Sequence, residues 1–186
     1  LPPLLSPSAL GGPKVLPGDG AGTDEAAAMA RGTALHLLLQ HLPDLPRAQW
    51  PEAARRLIGA TADVMDEATR LLDDPGLAEV FGPGSLAEVE IAAPLDGQTL
   101  YGSIDRLIVG PDRVLAVDFK SNALVPALPE DVPEGLLRQL GAYAAALEQA
   151  FPGRQVDAAI LWTRTGRLMP LPCKILRAAL QRSAIP

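Results

Sequence analysis

A single cysteine, Cys173, in 186 residues excludes an intrachain disulfide and any four-cysteine zinc or iron–sulfur site built from this chain alone. Such thiol poverty fits a reduced, cytoplasmic setting. Basic residues are also in deficit: 16 Lys and Arg stand against 22 Asp and Glu, giving a formal charge of −6 and a pI near 4.9. A surface of that sign does not capture nucleic acid by unspecific charge attraction, although a small metal-centred site remains compatible with it. No apolar run approaches membrane-spanning length, and the start lacks a basic-then-apolar signal pattern, so no membrane partner is expected. Histidine is scarce too, with only His36 and His41.

What is present is enough for one well-formed core: 19.5 kDa of chain with 48% hydrophobic residues. The chain opens on Leu1 rather than Met, which suggests a piece of a longer protein. Residues 1–23 are rich in Pro, Gly and Ser without periodicity and read as a linker or irregular arm; residues 24–186 read as one domain. From Asp24 the composition turns to good helix formers, with Thr23 or Asp24 as N-cap and Pro43 as the stop. Pro51 opens a second helix expected to run to Asp73 or Asp74, before Pro75-Gly76.

Leu86 to Ala93 alternates loosely and should be a strand, folded back at Asp96-Gly97 onto a strand ending at Val109. Gly110-Pro111-Asp112 then joins Ser103–Val109 to Val114–Phe119 in a second hairpin. Residues 122–133 are a Pro-rich loop, either a substrate lid or a long connector. An amphipathic helix over Glu134–Phe151, strands at Gln155–Thr163 and Arg167–Leu171, and a last helix at Cys173–Ser183 complete the order. That order describes an α/β domain: a mixed central β-sheet flanked by helices.

The chemistry concentrates in the second hairpin. Asp105 sits in its first arm and Asp118 late in its second, with Lys120 two residues on and therefore on the same face of an extended strand. Carboxylates held close on a half-buried sheet repel and lose hydration, and a hard divalent cation answers both costs. Glu88 and Glu90 share a face of the preceding strand; either could point inward, and Glu88 is favoured. On the first helix, Gly32 lies four residues before His36, and a close neighbour would explain the missing side chain. His41, near the helix end, reads as structural. Gln139 and Tyr143, four apart, occupy neighbouring turns of one helical face.

Taken in order, G-x-x-x-H, an acidic strand, G-x-x-D (Gly102, Asp105), D-x-K (Asp118, Lys120) and Q-x-x-x-Y (Gln139, Tyr143) resemble the RecB-like branch of the PD-(D/E)XK nuclease superfamily. The wording GSIDRL, VDFKSN and RQLGAYAAAL is most similar to the C-terminal nuclease domains of AddA-type subunits of bacterial helicase–nucleases, over Arg31 to Thr163. The resemblance implies a restriction-endonuclease-like core and a Mg²⁺- or Mn²⁺-dependent deoxyribonuclease without an iron–sulfur cluster. His36, Asp105, Asp118 and the carbonyl of Phe119 would hold the metal. Lys120 would position the attacking water, Gln139 and Tyr143 would orient Lys120 or the DNA backbone, and Glu88 would support the metal or the water. Implied partners are DNA, helicase domains of the same parent chain, which alone would use ATP, and an AddB-like subunit. The motif leads with Val117-Asp118 rather than Pro-Asp. The alternative is a non-catalytic DNA-binding or subunit-docking module that keeps the fold.

Overall fold

The computed structural model describes residues 4–16, 25–59 and 62–183. Its first half carries β1 (Leu4–Leu5), α1 (Glu25–His41), α2 (Trp50–Ile58), α3 (Ala62–Leu72) and the short α4 (Ala78–Phe81). There follow β2 (Ser85–Leu95), β3 (Gln98–Val109), β4 (Arg113–Lys120), α5 (Glu134–Ala150), β5 (Gln155–Trp162), β6 (Arg167–Leu171) and α6 (Cys173–Gln181). The expected proposal of Thr23 or Asp24 as a cap lies outside the described residues.

Alternation along the two central strands divides the apolar residues into two cores. Val114 and Ala116 of β4, with Ala158, Ile160 and Trp162 of β5, pack under Leu136, Leu140 and Leu147 of α5 and Leu176 of α6. Leu115, Val117 and Phe119, with Ala159 and Leu161, face Leu35, Leu38 and Leu39 of α1 and Val64, Ala68 and Leu71 of α3. Every second residue goes to each side, as a pleated strand covered on both faces requires. The result is the expected mixed sheet flanked by helices.

Within the sheet, β2–β3 and β3–β4 are antiparallel, β4–β5 is parallel and β5–β6 antiparallel. Asp96 and Gly97 both have positive φ, 47° and 81°, which gives the first hairpin the two-residue turn that matches strand twist. The parallel pair needs a crossover, and α5 provides it. No helix among the described residues is long and apolar enough to cross a membrane.

Two expectations fail for local reasons. The long second helix is two helices, α2 and α3, because Gly59 takes φ 73° and ψ −154° and ends the first at its C-cap. The arm expected to lack regular structure contributes β1, which pairs parallel with Thr99 and Leu100 of β3, and a 3₁₀ turn at Pro7–Ala9. Leu5, Pro7 and Leu10 are buried there, so apolar contact outweighs the poor local propensity. Pro7 occupies space that a side chain at residue 102 would need: a Cβ on Gly102 would stand 2.8 Å from Pro7 Cγ and 3.3 Å from Tyr143 Cε1. The loop after β4 is fastened rather than free. Arg164 Nε donates to the Ser121 carbonyl at 3.0 Å, and Arg167 donates to the carbonyls of Pro126 (2.9 Å) and Ala127 (2.8 Å).

Gly102→Val should therefore lift the arm from the sheet, lowering stability by about 1–3 kcal/mol. Urea unfolding with limited proteolysis checks this; an unchanged midpoint and a protected arm would contradict it.

Candidate metal and phosphodiester site

β3 pairs with β4 only from Arg106↔Val117 to Val109↔Val114, and with β1 only at Thr99 and Leu100. Between these stretches the strands part, and the sequence-expected residues gather in the opening. Asp105 stands at the fork. Its Oδ2 accepts the Phe119 backbone N–H at 2.6 Å, a side chain doing what a ladder carbonyl would do further down, and its Oδ1 lies 3.4 Å from His36 Nδ1. Because Ile104 and Leu107 both pack in the core under α5, the strand's alternation slips by one around Asp105.

Across β2 the register places Glu88 opposite Asp105, since Ala87 pairs with Arg106 and Val89 with Ile104. Glu88 interrupts that ladder with φ 49°, a left-handed conformation that costs a non-glycine residue on the order of 1–3 kcal/mol. Its Oε2 accepts from Ser103 Oγ at 2.9 Å. One ligand atom from each of His36, Glu88 and Asp105 falls within 4.8 Å of the others. Glu90 is exposed and sits beside Tyr101, whose hydroxyl its carboxylate pushes up in pKa, so the two glutamates part company.

The second group hangs from α5. Asp118 and Lys120 project toward that helix, as alternation with Phe119 demands, and the Phe119 ring meets the His36 ring edge-on at 5.5 Å on the opposite side. Gln139 Nε2 donates to Asp118 Oδ1 at 3.0 Å and lies 3.4 Å from the Tyr143 hydroxyl, which itself donates to the Ser103 carbonyl at 2.6 Å. Lys120 Nζ lies 2.5 Å from Asp118 Oδ2 as an ion pair, yet that enclosed oxygen accepts no aligned hydrogen bond. Asp118 is 3% exposed.

These charges shape one another. Burial pushes the Asp118 carboxyl up, and Asp105 adds to this against the pull of Lys120. Burial works against the Lys120 ammonium, but Asp118 and Asp105 outweigh it and hold the pKa above the usual lysine range. For His36, burial is likewise outweighed by the hydrogen bond and charge of Asp105, so the imidazole rises. Burial and the Asp118 charge raise the Tyr143 phenol. Two carboxylates, an imidazole and a buried Asp118 oxygen that the Lys120 ammonium meets without an aligned hydrogen bond fit a hard or borderline divalent cation such as Mg²⁺ or Mn²⁺. The converging trio contains Glu88 where the expected set had Asp118. Asp118 is turned to Lys120 and Gln139 instead, and Phe119 offers Asp105 its N–H.

Other contributors were not legible from spacing. The neighbour of Gly32 is Ser121, whose Oγ would lie 3.2 Å from a Cβ there, so α1 approaches the end of β4 closely enough to bring His36 to Asp105. Arg106, next to Asp105, is 1% exposed and donates to the Leu39 carbonyl at 2.6 Å, and to Ser85 Oγ at 3.2 Å. Its guanidinium also lies over the Phe81 ring, 5.6 Å from the centroid. Burial depresses its pKa. A cation thus answers the carbonyl end of α1, the negative end of the helix dipole, and ties that helix to β3.

The family profile described as the PD-(D/E)XK nuclease superfamily matches residues 10–171. A solved structure described as a candidate exonuclease from Eubacterium rectale is 16% identical, with a TM-score of 0.56 over 86% of this chain. The chain spans 64% of that protein's length, and at this identity the likeness shows the fold. SSO0001, also solved, is 13% identical over 88% of this chain and 89% of its own, but its TM-score of 0.36 carries no argument. No curated protein sequence matches.

Replacing Arg106 by Met leaves the Leu39 carbonyl buried without its donor, which should cost about 1–3 kcal/mol. Denaturant unfolding at neutral pH measures it; a variant as stable as the parent would show that the guanidinium is not what holds α1 to β3.

Proposed function

The chain belongs to the PD-(D/E)XK nuclease superfamily, and from that premise we propose that it is a metal-dependent deoxyribonuclease domain that hydrolyses phosphodiester bonds. The observation that carries the reading is the buried Asp118–Lys120 pair beside the His36, Glu88 and Asp105 cluster, all in one fork of the sheet.

His36, Glu88 and Asp105 would hold Mg²⁺ or Mn²⁺, with the Asp118 carboxylate close by, held by Lys120 and Gln139. When bound, the cation supplies Lewis-acid neutralisation of the phosphoryl oxygens and acidifies a water. The remaining work falls to the chain. Lys120 is kept as an ammonium by its carboxylate neighbours, so it acts as a donor to phosphoryl oxygen rather than as a base, stabilising charge where it develops. Gln139 fixes the rotamer of Asp118, and the Tyr143 to Ser103 bond fixes α5 against β3, so that Gln139 stays in reach. Glu88, held through Ser103, is placed to accept a hydrogen bond from the attacking water.

The wider reading follows the AddA-like wording of the motifs. The domain acts as the exonuclease of a cytoplasmic helicase–nuclease in double-strand-break processing and recombinational repair, with ATP used only in motor domains of the parent chain. An AddB-like subunit is the partner. The net charge of −6 supports delivery of DNA by another module, since a chain of that sign draws in nucleic acid weakly by overall charge.

Removing one partner of a buried ion pair costs about 3–5 kcal/mol, so the test uses the double variant Asp118→Asn with Lys120→Met, which leaves no unpaired charge. Cleavage of end-labelled linear DNA in Mg²⁺ or Mn²⁺ should fall by at least about 10²–10³-fold while the far-UV spectrum is retained. A folded double variant that cuts as fast as the parent contradicts the assignment. A parent that binds DNA but never cuts it favours the docking module instead.

A further inference from the structure

Most arginines of this acidic chain lie against a carboxylate, as Arg31 does against Asp63 and Glu67, and Arg113 against Glu79 and Asp157. Arg70, Arg164 and Arg167 are different: among the described residues none forms an ion pair, all three are exposed, and each belongs to or binds the turn between β5 and β6, Arg164 and Arg167 reaching from it to the loop after β4. Arg70 donates to the carbonyls of Thr163 (2.9 Å) and Arg164 (3.1 Å). Asp74 also reaches that turn: its Oδ1 accepts the Gly76 N–H, while its Oδ2 stands near Gly166 on the side of Arg70 Nη1, so Arg70 has a carboxylate close by although the two form no ion pair.

The turn sits beside the proposed cutting residue. Lys120 is in register with Trp162, Trp162 with Arg167, and the Thr163 N–H donates to the Lys120 carbonyl at 3.0 Å. Two strand spacings therefore separate the backbones of Lys120 and Arg167, roughly 10 Å. Arg164, an exposed residue, is fastened to the residue after Lys120 through Nε, and its terminal nitrogens make no hydrogen bond among the described residues. Anchoring a loop needs one or two donors, whereas a guanidinium carries five in a fixed fork suited to phosphate oxygens.

We propose that Arg164 and Arg167, backed by Arg70, form a phosphate-binding ledge that carries the sugar–phosphate backbone of the DNA strand being cut, away from Lys120 across the β5–β6 turn. This rests on the nuclease reading above and adds the path of the substrate. Arg164 and Arg167, exposed and without an ion pair among the described residues, are cations that a polyanion can meet by charge and by fork geometry.

The test is fluorescence anisotropy with a labelled single-stranded oligonucleotide in EDTA, where nothing is cut. Arg164→Gln with Arg167→Gln should weaken binding about 10–100-fold and reduce the slope of log K against log salt by about 0.7 per lost contact. Arg177→Gln, which neutralises an α6 arginine paired with Glu148 of α5, should bind like the parent. Arg164→Lys with Arg167→Lys keeps the charge and should keep most of the slope. If the double Gln variant does not fold, Arg164→Gln alone is scored by the same slope. An unchanged slope, an equal loss in Arg177→Gln, a loss in the Lys pair as large as in the Gln pair, or a parent that does not bind overturns the ledge. A parent that binds through these arginines yet never cuts in Mn²⁺ removes the nuclease reading alone; a cutting parent whose Gln variants bind unchanged removes the ledge alone.

Discussion

Where β3 and β4 part, the Asp105 carboxylate accepts the Phe119 N–H at 2.6 Å and turns its other oxygen toward His36 at 3.4 Å. A fork in a sheet leaves backbone groups without partners, and an unmade buried hydrogen bond costs about 1–3 kcal/mol. Asp105 meets that need with a side chain, so the same carboxylate that closes the sheet also opens a charged site. The arm around Pro7, the close approach of α1 over Gly32 and the Arg106 bond to Leu39 all support this one junction. Together with the apolar packing of Leu35, Leu38 and Leu39 against β4, they fix α1 over the sheet and give the imidazole its place.

The second consequence is electrostatic. Asp105, Asp118 and Glu88 concentrate negative charge in a space that excludes much of the water, and Lys120, a raised His36 and, beside Glu88, Arg106 answer it inside the protein. Asp118 keeps an oxygen with no aligned donor and a carboxyl pushed up by burial. Such a group is held ionised by a cation, which is also what phosphodiester hydrolysis demands. Stability has been given up at Glu88, where a left-handed backbone aims the carboxylate into the fork.

Local patterns told much of this in advance, and their range sets where they stopped. Period-two alternation correctly put Asp118 and Lys120 on one face, period-3.6 spacing put Gln139 beside Tyr143, and Asp96-Gly97 marked its hairpin. Gly59 was read as an interior helix residue because its apolar neighbours continue the pattern on both sides; only its positive φ breaks the helix. The union of Gln139 with Asp118, of Arg106 with Leu39 and of Pro7 with Gly102 joins residues 21, 67 and 95 positions apart, which periodicity does not see. Glycines without a turn to explain them, at 32 and 102, were the one local trace of those approaches. The membership of the superfamily is carried by the family profile that matches residues 10–171, and the geometry brings the residues of the sequence motifs into one fork.

The claim beneath all of this is that the fork gathers side chains to hold one divalent cation. Anomalous diffraction from crystals soaked in Mn²⁺ measures it directly. The account predicts a peak among His36, Glu88 and Asp105, on the side toward Asp118. A peak elsewhere, or none at a Mn²⁺ concentration that supports cleavage in solution, would contradict it.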